Sequence, residues 1–147
     1  MKISDFLSPK DVLIDIRAAN KQQLLEQLCG KAAANVPVTT DDILVHLLKR
    51  EGLGSTGVGN GVAIPHARFE ALAKPVGLLA RLRQPIDFDA IDSQPVDLVF
   101  ALLLSAKNES EQLGALASVA RKMRGGGDLE KCRTIKSAAE LYALMTG

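Results

Sequence analysis

Three segments of the chain have the hydrophobic pattern of β-strands. Residues 11–16 (DVLIDI) alternate apolar and polar positions in their second half and are rich in β-branched types, which predicts a strand. Residues 76–82 (VGLLARL) form a second apolar run. A third run, residues 96–104 (VDLVFALLL), is too continuous for a strand with one face in water. The pattern predicts a sheet in which residues 96–104 form a buried central strand.

Helical spacing dominates the segment after the first strand. Asn20 is predicted to cap a helix over residues 21–34, because its apolar residues fall on one face. These residues are Leu24, Leu25, Leu28, Cys29, Ala32 and Ala33. Gly30 lies inside this helix, where a glycine costs about 1 kcal/mol relative to alanine. The helix is therefore predicted despite that glycine.

A second helix is predicted over residues 41–51, with Thr40 as its cap. Its first residues are acidic and its last turn carries Lys49 and Arg50, which complements the helix dipole, and Gly52 is placed to end it. Arg50 is therefore expected on the last turn, where it faces the glycine-rich segment that follows.

The C-terminal third is predicted to be helical. A helix should run from Glu109 to the triple glycine at 125–127, which we interpret as a loop. Its apolar face would comprise Leu113, Leu116, Ala117, Val119, Ala120 and Met123. Residues 128–136 favour a short helix. Ser137 and Glu140 have the spacing of a capping box, which predicts the start of a final helix.

Because predicted strands and helices alternate, the fold class is α/β, with a sheet sandwiched between helices on both faces. We expect the sheet to be mixed, because the link between the second and third strands, within residues 81–97, looks non-helical. A length of 147 residues without a low-complexity linker favours one domain over residues 1–147.

Composition narrows the class of function. The chain is 47% hydrophobic and has a formal net charge of +1, and only 3% of its residues are aromatic, so neither a cationic face nor stacking platforms favour nucleic-acid binding. Residues 1–16 do not resemble a secretory leader, and no apolar run approaches the roughly 20 residues that span a bilayer. We expect a cytoplasmic protein without membrane insertion. Cys29 and Cys132 are expected to be reduced core residues.

The segment GLGSTGVGNGVAIPH, residues 52–66, has glycines at positions 52, 54, 57, 59 and 61. Such a segment can bring backbone N–H groups close to an anion. This segment is not a nucleotide P-loop, because none of its glycines is followed by a lysine. It also departs from a dinucleotide fingerprint, because position 62 is Val and Pro65 obstructs the helix that should follow.

The chain has two histidines. His46 lies within the second predicted helix and is interpreted as a residue that either faces solvent or has a structural role. His66 follows Pro65, which restrains its backbone and can aim the ring. The histidines lack the spacing of a metal site, and we expect no metal or cofactor. Because no Gly-x-Ser-x-Gly elbow is present, a hydrolase is kept only as a distant alternative. A neutral imidazole beside an anion cradle and Arg50 suits a nucleophile that accepts a phosphoryl group.

The segment REGLGSTGVGNGVAIPHAR, residues 50–68, resembles the active-site signature of the enzyme IIA components of the phosphoenolpyruvate-dependent sugar phosphotransferase system, in their fructose/mannitol type. Residues 84–104 resemble a companion block of the nitrogen-regulatory branch of that type. A domain of this length that starts with MKISDFLSP is similar to members of the same branch. The resemblance covers essentially the whole chain. The family fold, a mixed sheet sandwiched between helices, agrees with the fold class predicted from the pattern.

The resemblance implies a role for each matching residue. His66 matches the phosphorylated histidine, and Arg50 matches an arginine close to it. The family's loop, which would form the phosphate cradle, is matched by Ser55, Thr56, Gly59 and Asn60. The family implies a phosphotransferase component that accepts its phosphoryl group from a histidine phosphocarrier protein. The regulatory branch further implies target proteins, such as transporters or sensor kinases, that are bound differently in the two states.

The chain departs from the family at one position. Members usually carry a second histidine near the active one, and Gln112 stands there in this chain. A glutamine can hydrogen-bond a phosphate but cannot titrate. Three hypotheses remain open: a phosphoryl carrier with a regulatory role, a sugar-specific transport component, and an interaction module whose phosphorylation has lapsed.

Overall fold

The computed structural model describes residues 1–124 and 126–147. A six-stranded sheet separates two layers of helices. A 3-10 turn (Ile3–Asp5) precedes the strands β1 (Leu7–Ile16), β2 (Gly57–Gly59), β3 (Val62–Ala63), β4 (His66–Phe69), β5 (Val76–Ile86) and β6 (Val96–Ser105). The helices are α1 (Lys21–Ala33), α2 (Thr40–Gly52), α3 (Glu109–Met123), α4 (Gly126–Thr134) and α5 (Ala138–Thr146). The predicted α/β class is confirmed.

The sheet is mixed, as the sequence predicted. Its strand order is β1-β5-β6-β3-β2, and β4 pairs with β6 beyond the end of β3. The pairs β1–β5, β3–β6 and β4–β6 are parallel, whereas β5–β6 and β2–β3 are antiparallel. One long edge of β6 therefore carries two short strands in succession, and His66 begins the second of them.

Each face of the sheet has its own apolar core. Side chains of α1 and α2 pack on one face, around residues such as Phe69 and Phe88. Those of α3, α4 and α5 pack on the other, around Phe100. The sheet is thus covered on both sides, which explains why β6 reads as a continuous apolar run.

The helix starts agree with the sequence at most positions. Asn20 caps α1 by accepting a hydrogen bond from the Gln23 backbone N, as predicted. The predicted cap of α2 was wrong by one residue: the Thr39 side chain accepts from the Asp42 backbone N at 3.2 Å, and Thr40 is the first helical residue. Ser137 and Glu140 form the predicted contact at the start of α5.

The predicted apolar face of α3 needs a correction. Leu113 is 55% exposed and Ala117 is also exposed, whereas Gln112, Ala115 and Ser118 are buried with Val119 and Met123. Two polar side chains take core positions because they have backbone partners: Gln112 bonds Ser105, and Ser118 donates to the Met1 carbonyl at 2.6 Å. This orientation turns Leu113 towards solvent.

The triple glycine at 125–127 was predicted to be a loop. Gly125 lies outside the described residues, but α4 begins at Gly126, so the helix starts before the predicted position 128. The two cysteines are buried, as expected, and they lie in different cores: Cys29 packs on the α1 face and Cys132 on the opposite face. Burial raises the pKa of the Cys29 thiol to about 12.

Within the described part of the chain, no helix combines the length and the hydropathy that a bilayer crossing requires. The same residues contain no group of three His, Cys, Asp or Glu side chains arranged to hold a metal ion.

Candidate functional site

His66 occupies the first position of β4, opposite Leu102 of β6. The preceding residue, Pro65, has no N–H to donate, but its carbonyl accepts a hydrogen bond from the Leu102 N at 2.8 Å. The half-buried ring of His66 is thus carried by a backbone that is fixed on both sides of the Pro65–His66 bond.

One hydrogen bond determines the tautomer of His66. Its Nδ1 lies 2.8 Å from the Ile64 carbonyl oxygen. Because a carbonyl only accepts, Nδ1 carries the proton, and Nε2 of the neutral ring has a free lone pair. Burial, with smaller contributions from the Arg50 and Arg68 guanidinium groups, lowers the pKa of His66 and outweighs the opposing effects of the Ile64 bond and Glu51. The neutral, nucleophilic ring is therefore favoured.

The ring opens onto a groove of about 370 Å³ between the end of α2, the strand β4 and the helix α3. The groove is lined by His46, Lys49, Arg50, Leu53, His66, Ala67, Arg68, Leu104, Gln112, Leu113 and Leu116. Three of these side chains are cations and none is a carboxylate. The groove therefore attracts an anion.

Arg50 is the cation whose orientation is most clearly defined. It lies in the last turn of α2, and its Nη1 donates to the Gly54 carbonyl at 2.8 Å. A guanidinium has five N–H donors, so the remaining ones are available to a ligand. The predicted position of Arg50, facing the glycine-rich segment and close to His66, is the observed one.

Gln112 reaches the same groove from α3 and is only 1% exposed. Its Oε1 accepts a hydrogen bond from the Ser105 backbone N at 2.5 Å. Its Nε2 has no hydrogen-bond partner, and it is the one such buried side-chain atom in the described part of the chain. An unpartnered buried donor is costly, which suggests that a ligand in the groove would complete it.

The four residues of the predicted phosphate cradle do not line this groove. Ser55 Oγ donates to the Phe88 carbonyl at 2.6 Å, and the Asn60 N donates to Asp92 Oδ2 at 3.1 Å. Thr56 is buried and bonded to Glu51, and Gly59 precedes the turn from β2 to β3. Their role as a cradle stays a prediction.

Two residues of the site were not singled out from the sequence. His46 was interpreted as a solvent-side or structural residue. It is exposed, and its Nδ1 donates to the Asp42 carbonyl at 2.7 Å, but it also lines the groove. The sequence pattern did not indicate Glu51 as a site residue. The signal that could have found it is a carboxylate in the last turn of a helix, where the dipole disfavours negative charge.

The chain is similar to known proteins over nearly its whole length. The model of the family described as "Phosphoenolpyruvate-dependent sugar phosphotransferase system, EIIA 2" matches residues 5–147. A protein from Bradyrhizobium diazoefficiens named "Nitrogen regulatory protein" is 41% identical over 145 residues, which are 99% of this chain and 95% of that protein.

Solved structures give the same result. The nitrogen regulatory protein IIA-Ntr from Neisseria meningitidis has a TM-score of 0.94 and 34% identity, with 98% of this chain and 99% of that chain covered. IIA mannitol from Escherichia coli has a TM-score of 0.72 at 19% identity, over 92% of this chain and 96% of that chain. The second similarity shows the shared fold alone.

Proposed function

Because this chain belongs to the EIIA 2 family of the phosphoenolpyruvate-dependent sugar phosphotransferase system, we propose that it carries a phosphoryl group on His66 and regulates partner proteins through it. Relatives over its whole length are named nitrogen regulatory proteins, which favours the regulatory role over sugar transport. The donor would be a phosphorylated histidine of a phosphocarrier protein. The targets would be proteins, such as transporters or sensor kinases, that distinguish the two states.

The observation that carries this proposal is the bond from His66 Nδ1 to the Ile64 carbonyl. It leaves the Nε2 lone pair free to attack the phosphorus of the donor's phosphohistidine. The new bond joins Nε2 to phosphorus, the old P–N bond breaks, and its electron pair returns to the donor ring. The donor ring, protonated on its other nitrogen, leaves as a neutral imidazole. The Nδ1 proton stays on His66, so transfer needs no base.

Arg50 supplies the charge that this transfer requires. A guanidinium beside the transferring oxygens stabilises their charge in the transition state and in the product. Lys49 and Arg68 line the same groove and add to that field. We assign Arg50 the role of phosphate stabilisation. The loop residues Ser55, Thr56, Gly59 and Asn60 would support the phosphoryl group by holding this segment.

The regulatory effect would be local. By analogy with other phosphorylated side chains, the phosphoryl group itself carries about −1.5 to −2 charges. Even with a positive charge on a ring that keeps its Nδ1 proton, phosphorylation makes the cationic groove more negative. Leu53 and Leu113 flank this groove and are 82% and 55% exposed. A partner that packs on these leucines would bury the phosphoryl group or the cations, and would therefore bind the two states with different affinity.

A phosphorelay tests the proposal directly. The protein is incubated with phosphoenolpyruvate, the first enzyme of the system and its histidine phosphocarrier, and the product is weighed intact. We expect a gain of one acid-labile phosphoryl group that is absent in His66→Ala and retained in His46→Gln. No gain, with upstream proteins that phosphorylate another family member, would leave only the interaction-module hypothesis. Transfer from His66 to a cysteine-bearing sugar transporter domain would favour the transport alternative.

Gln112 is proposed to donate its free Nε2 hydrogen to a phosphoryl oxygen, where the family usually has a histidine. Gln112→Glu tests this role because its carboxylate can still accept from Ser105 but places negative charge beside the phosphate. We expect the phosphoryl group of Gln112→Glu to be lost faster than that of the wild type, followed by intact mass after removal of the donor. Equal rates in the wild type, Gln112→Glu and Gln112→His would contradict the assignment.

A further inference from the structure

A buried carboxylate lies next to Arg50 in the last turn of α2. The Glu51 side chain is only 4% exposed, and Lys21 Nζ lies 3.1 Å from its Oε1. Burial of an ion pair costs desolvation, and a negative charge at a helix C-terminus opposes the dipole. Neither effect favours a glutamate here on grounds of stability alone. The presence of Glu51 at this position therefore points to a role other than stability, which its hydrogen bonds indicate.

Glu51 holds the segment that leads away from α2. The Thr56 N donates to Glu51 Oε1 at 3.2 Å, and the Thr56 hydroxyl donates to Glu51 Oε2. These two bonds close residues 52–55 into a loop. Gly54, whose carbonyl accepts from Arg50, belongs to this loop. The Arg50 guanidinium is thus oriented by a loop whose ends Glu51 ties together.

Further hydrogen bonds link Thr56 to His66. The Thr56 carbonyl accepts a hydrogen bond from the Ile64 N at 3.0 Å. The Ile64 carbonyl in turn accepts from His66 Nδ1 at 2.8 Å. A continuous path of hydrogen bonds therefore links the Glu51 carboxylate, through Thr56 and Ile64, to the ring that is proposed to attack phosphorus.

We propose that Glu51 is a positioning residue that sets the tautomer of His66 and the place of Arg50 at the same time. This inference rests on the proposed function. Lys21 pairs with the carboxylate at 3.1 Å and helps to fix its place, and the exposed Asp89 is the second partner of Lys21, at 3.6 Å. Glu51 touches neither the phosphoryl group nor its donor. It acts through the backbone carbonyls of Gly54 and Ile64.

Two substitutions at Glu51 separate its hydrogen bonds from its charge. In Glu51→Gln the amide oxygen can still accept from Thr56 N, and the amide nitrogen can donate to the Thr56 hydroxyl. In Glu51→Ala both bonds are lost. Asp89→Ala serves as the matched control, because it removes the other carboxylate partner of Lys21 and leaves the path to His66 intact.

The main measurement is the tautomer of His66, read from its ring ¹⁵N shifts at a pH where the ring is neutral. We expect the Nδ1–H form to dominate in the wild type, Glu51→Gln and Asp89→Ala, and a mixture with the Nε2–H form in Glu51→Ala. The rate of phosphorylation should fall about 10- to 100-fold in Glu51→Ala, because a misplacement of reacting groups by about 1 Å can lower a rate by about 100-fold. A folded Glu51→Ala protein with the wild-type tautomer and rate would overturn the proposal.

Thr56 provides a second pair of variants in case Glu51→Ala does not fold. Thr56→Val removes the hydroxyl bond at constant shape and should slow phosphorylation, and Thr56→Ser should restore it. Equal rates and equal tautomers in this pair would also overturn the proposal. If the wild type has the expected tautomer but is never phosphorylated, the proposed function fails while the positioning path stands. The two failures are thus distinguishable.

Discussion

The central strands β5 and β6 and the site segment, residues 53–69, are built on different principles. In β6, every residue but Asp97 is buried, and nearly all of the buried ones are apolar. The site segment contains the three shortest strands of the described chain and is fixed by specific bonds, among them those of Thr56 to Glu51 and of His66 to Ile64. Stability of this fold therefore depends on apolar burial, whereas the proposed chemistry depends on a few directed contacts.

The largest effect is expected in the central strand. Phe100 is fully buried in β6 and packs edge-on against Phe6, with ring centroids 6.2 Å apart. Phe100→Ala should lower the free energy of unfolding by about 3–5 kcal/mol, because it removes apolar contacts and leaves a cavity. Urea denaturation measures the loss, and Ile91→Ala, at a side chain that is 83% exposed, is the control. The rate of His66 phosphorylation in the remaining folded protein should change little; a large fall would contradict the separation of the two regions.

A smaller effect is expected in the site segment, at the turn between β2 and β3. Asn60 and Gly61 both have positive φ, of 57° and 77°, as a two-residue hairpin turn of the mirror-image type requires. A Cβ at Gly61 would also lie 3.0 Å from Asp97 Oδ1 and against the Arg133 guanidinium. Gly61→Ala should therefore lower the free energy of unfolding by about 1–2 kcal/mol.

Gly30→Ala is the matched control for that substitution. Gly30 lies inside α1, and nothing is within 4 Å of an added Cβ. This change should raise the free energy of unfolding by about 0.5–1 kcal/mol, because alanine is the better helix former. The two Gly→Ala variants, compared by thermal unfolding, should shift stability in opposite directions. A shift in the same direction would mean that the turn is not constrained as described.

The smallest effect concerns pH. Because burial lowers the pKa of His66 from its ordinary value of 6.5, the unfolded chain takes up a proton more readily than the folded one. As the pH falls through about 6.5, the unfolded state gains that proton first, so the free energy of unfolding should decrease, and the decrease should level off below the folded-state pKa. His66→Gln should remove this part of the dependence. Parallel denaturation curves of both proteins between neutral and mildly acidic pH provide the measurement.

The sequence predicted the elements that depend on local pattern. The apolar run that became β6 and the capping residues Asn20 and Ser137 can be recognised from neighbouring residues alone. The start of β1 was missed, because Pro9 and the polar residues around it do not resemble a strand. The strands β2, β3 and β4 were missed for another reason: they are two to four residues long, and their pairing with β6 or with each other is not visible in their own pattern.

The candidate site, too, could be predicted from the sequence only in part. The pattern and the resemblance indicated His66, Arg50 and Gln112 as candidate site residues, and the structure places all three around one groove. The partners of these residues could not be predicted, because they are defined by distances across the fold. The Oε1 of the buried Gln112 amide, for example, accepts its hydrogen bond from the Ser105 backbone N, which lies on another element. The role proposed for Glu51 likewise depends on Thr56, whose backbone N donates to the Glu51 carboxylate from the far end of a loop.

The parallel pairing of β4 with β6 also has a consequence for biosynthesis. His66 lies opposite Leu102, and the bond from the Leu102 N holds the Pro65 carbonyl that precedes it. The ribosome adds Leu102 only after all of β5, so a nascent chain that displays His66 has no groove around it. The phosphoryl acceptor site is therefore completed late in translation. A chain truncated before β6 would contain His66 but would lack the residues of β6 and α3 that line its groove.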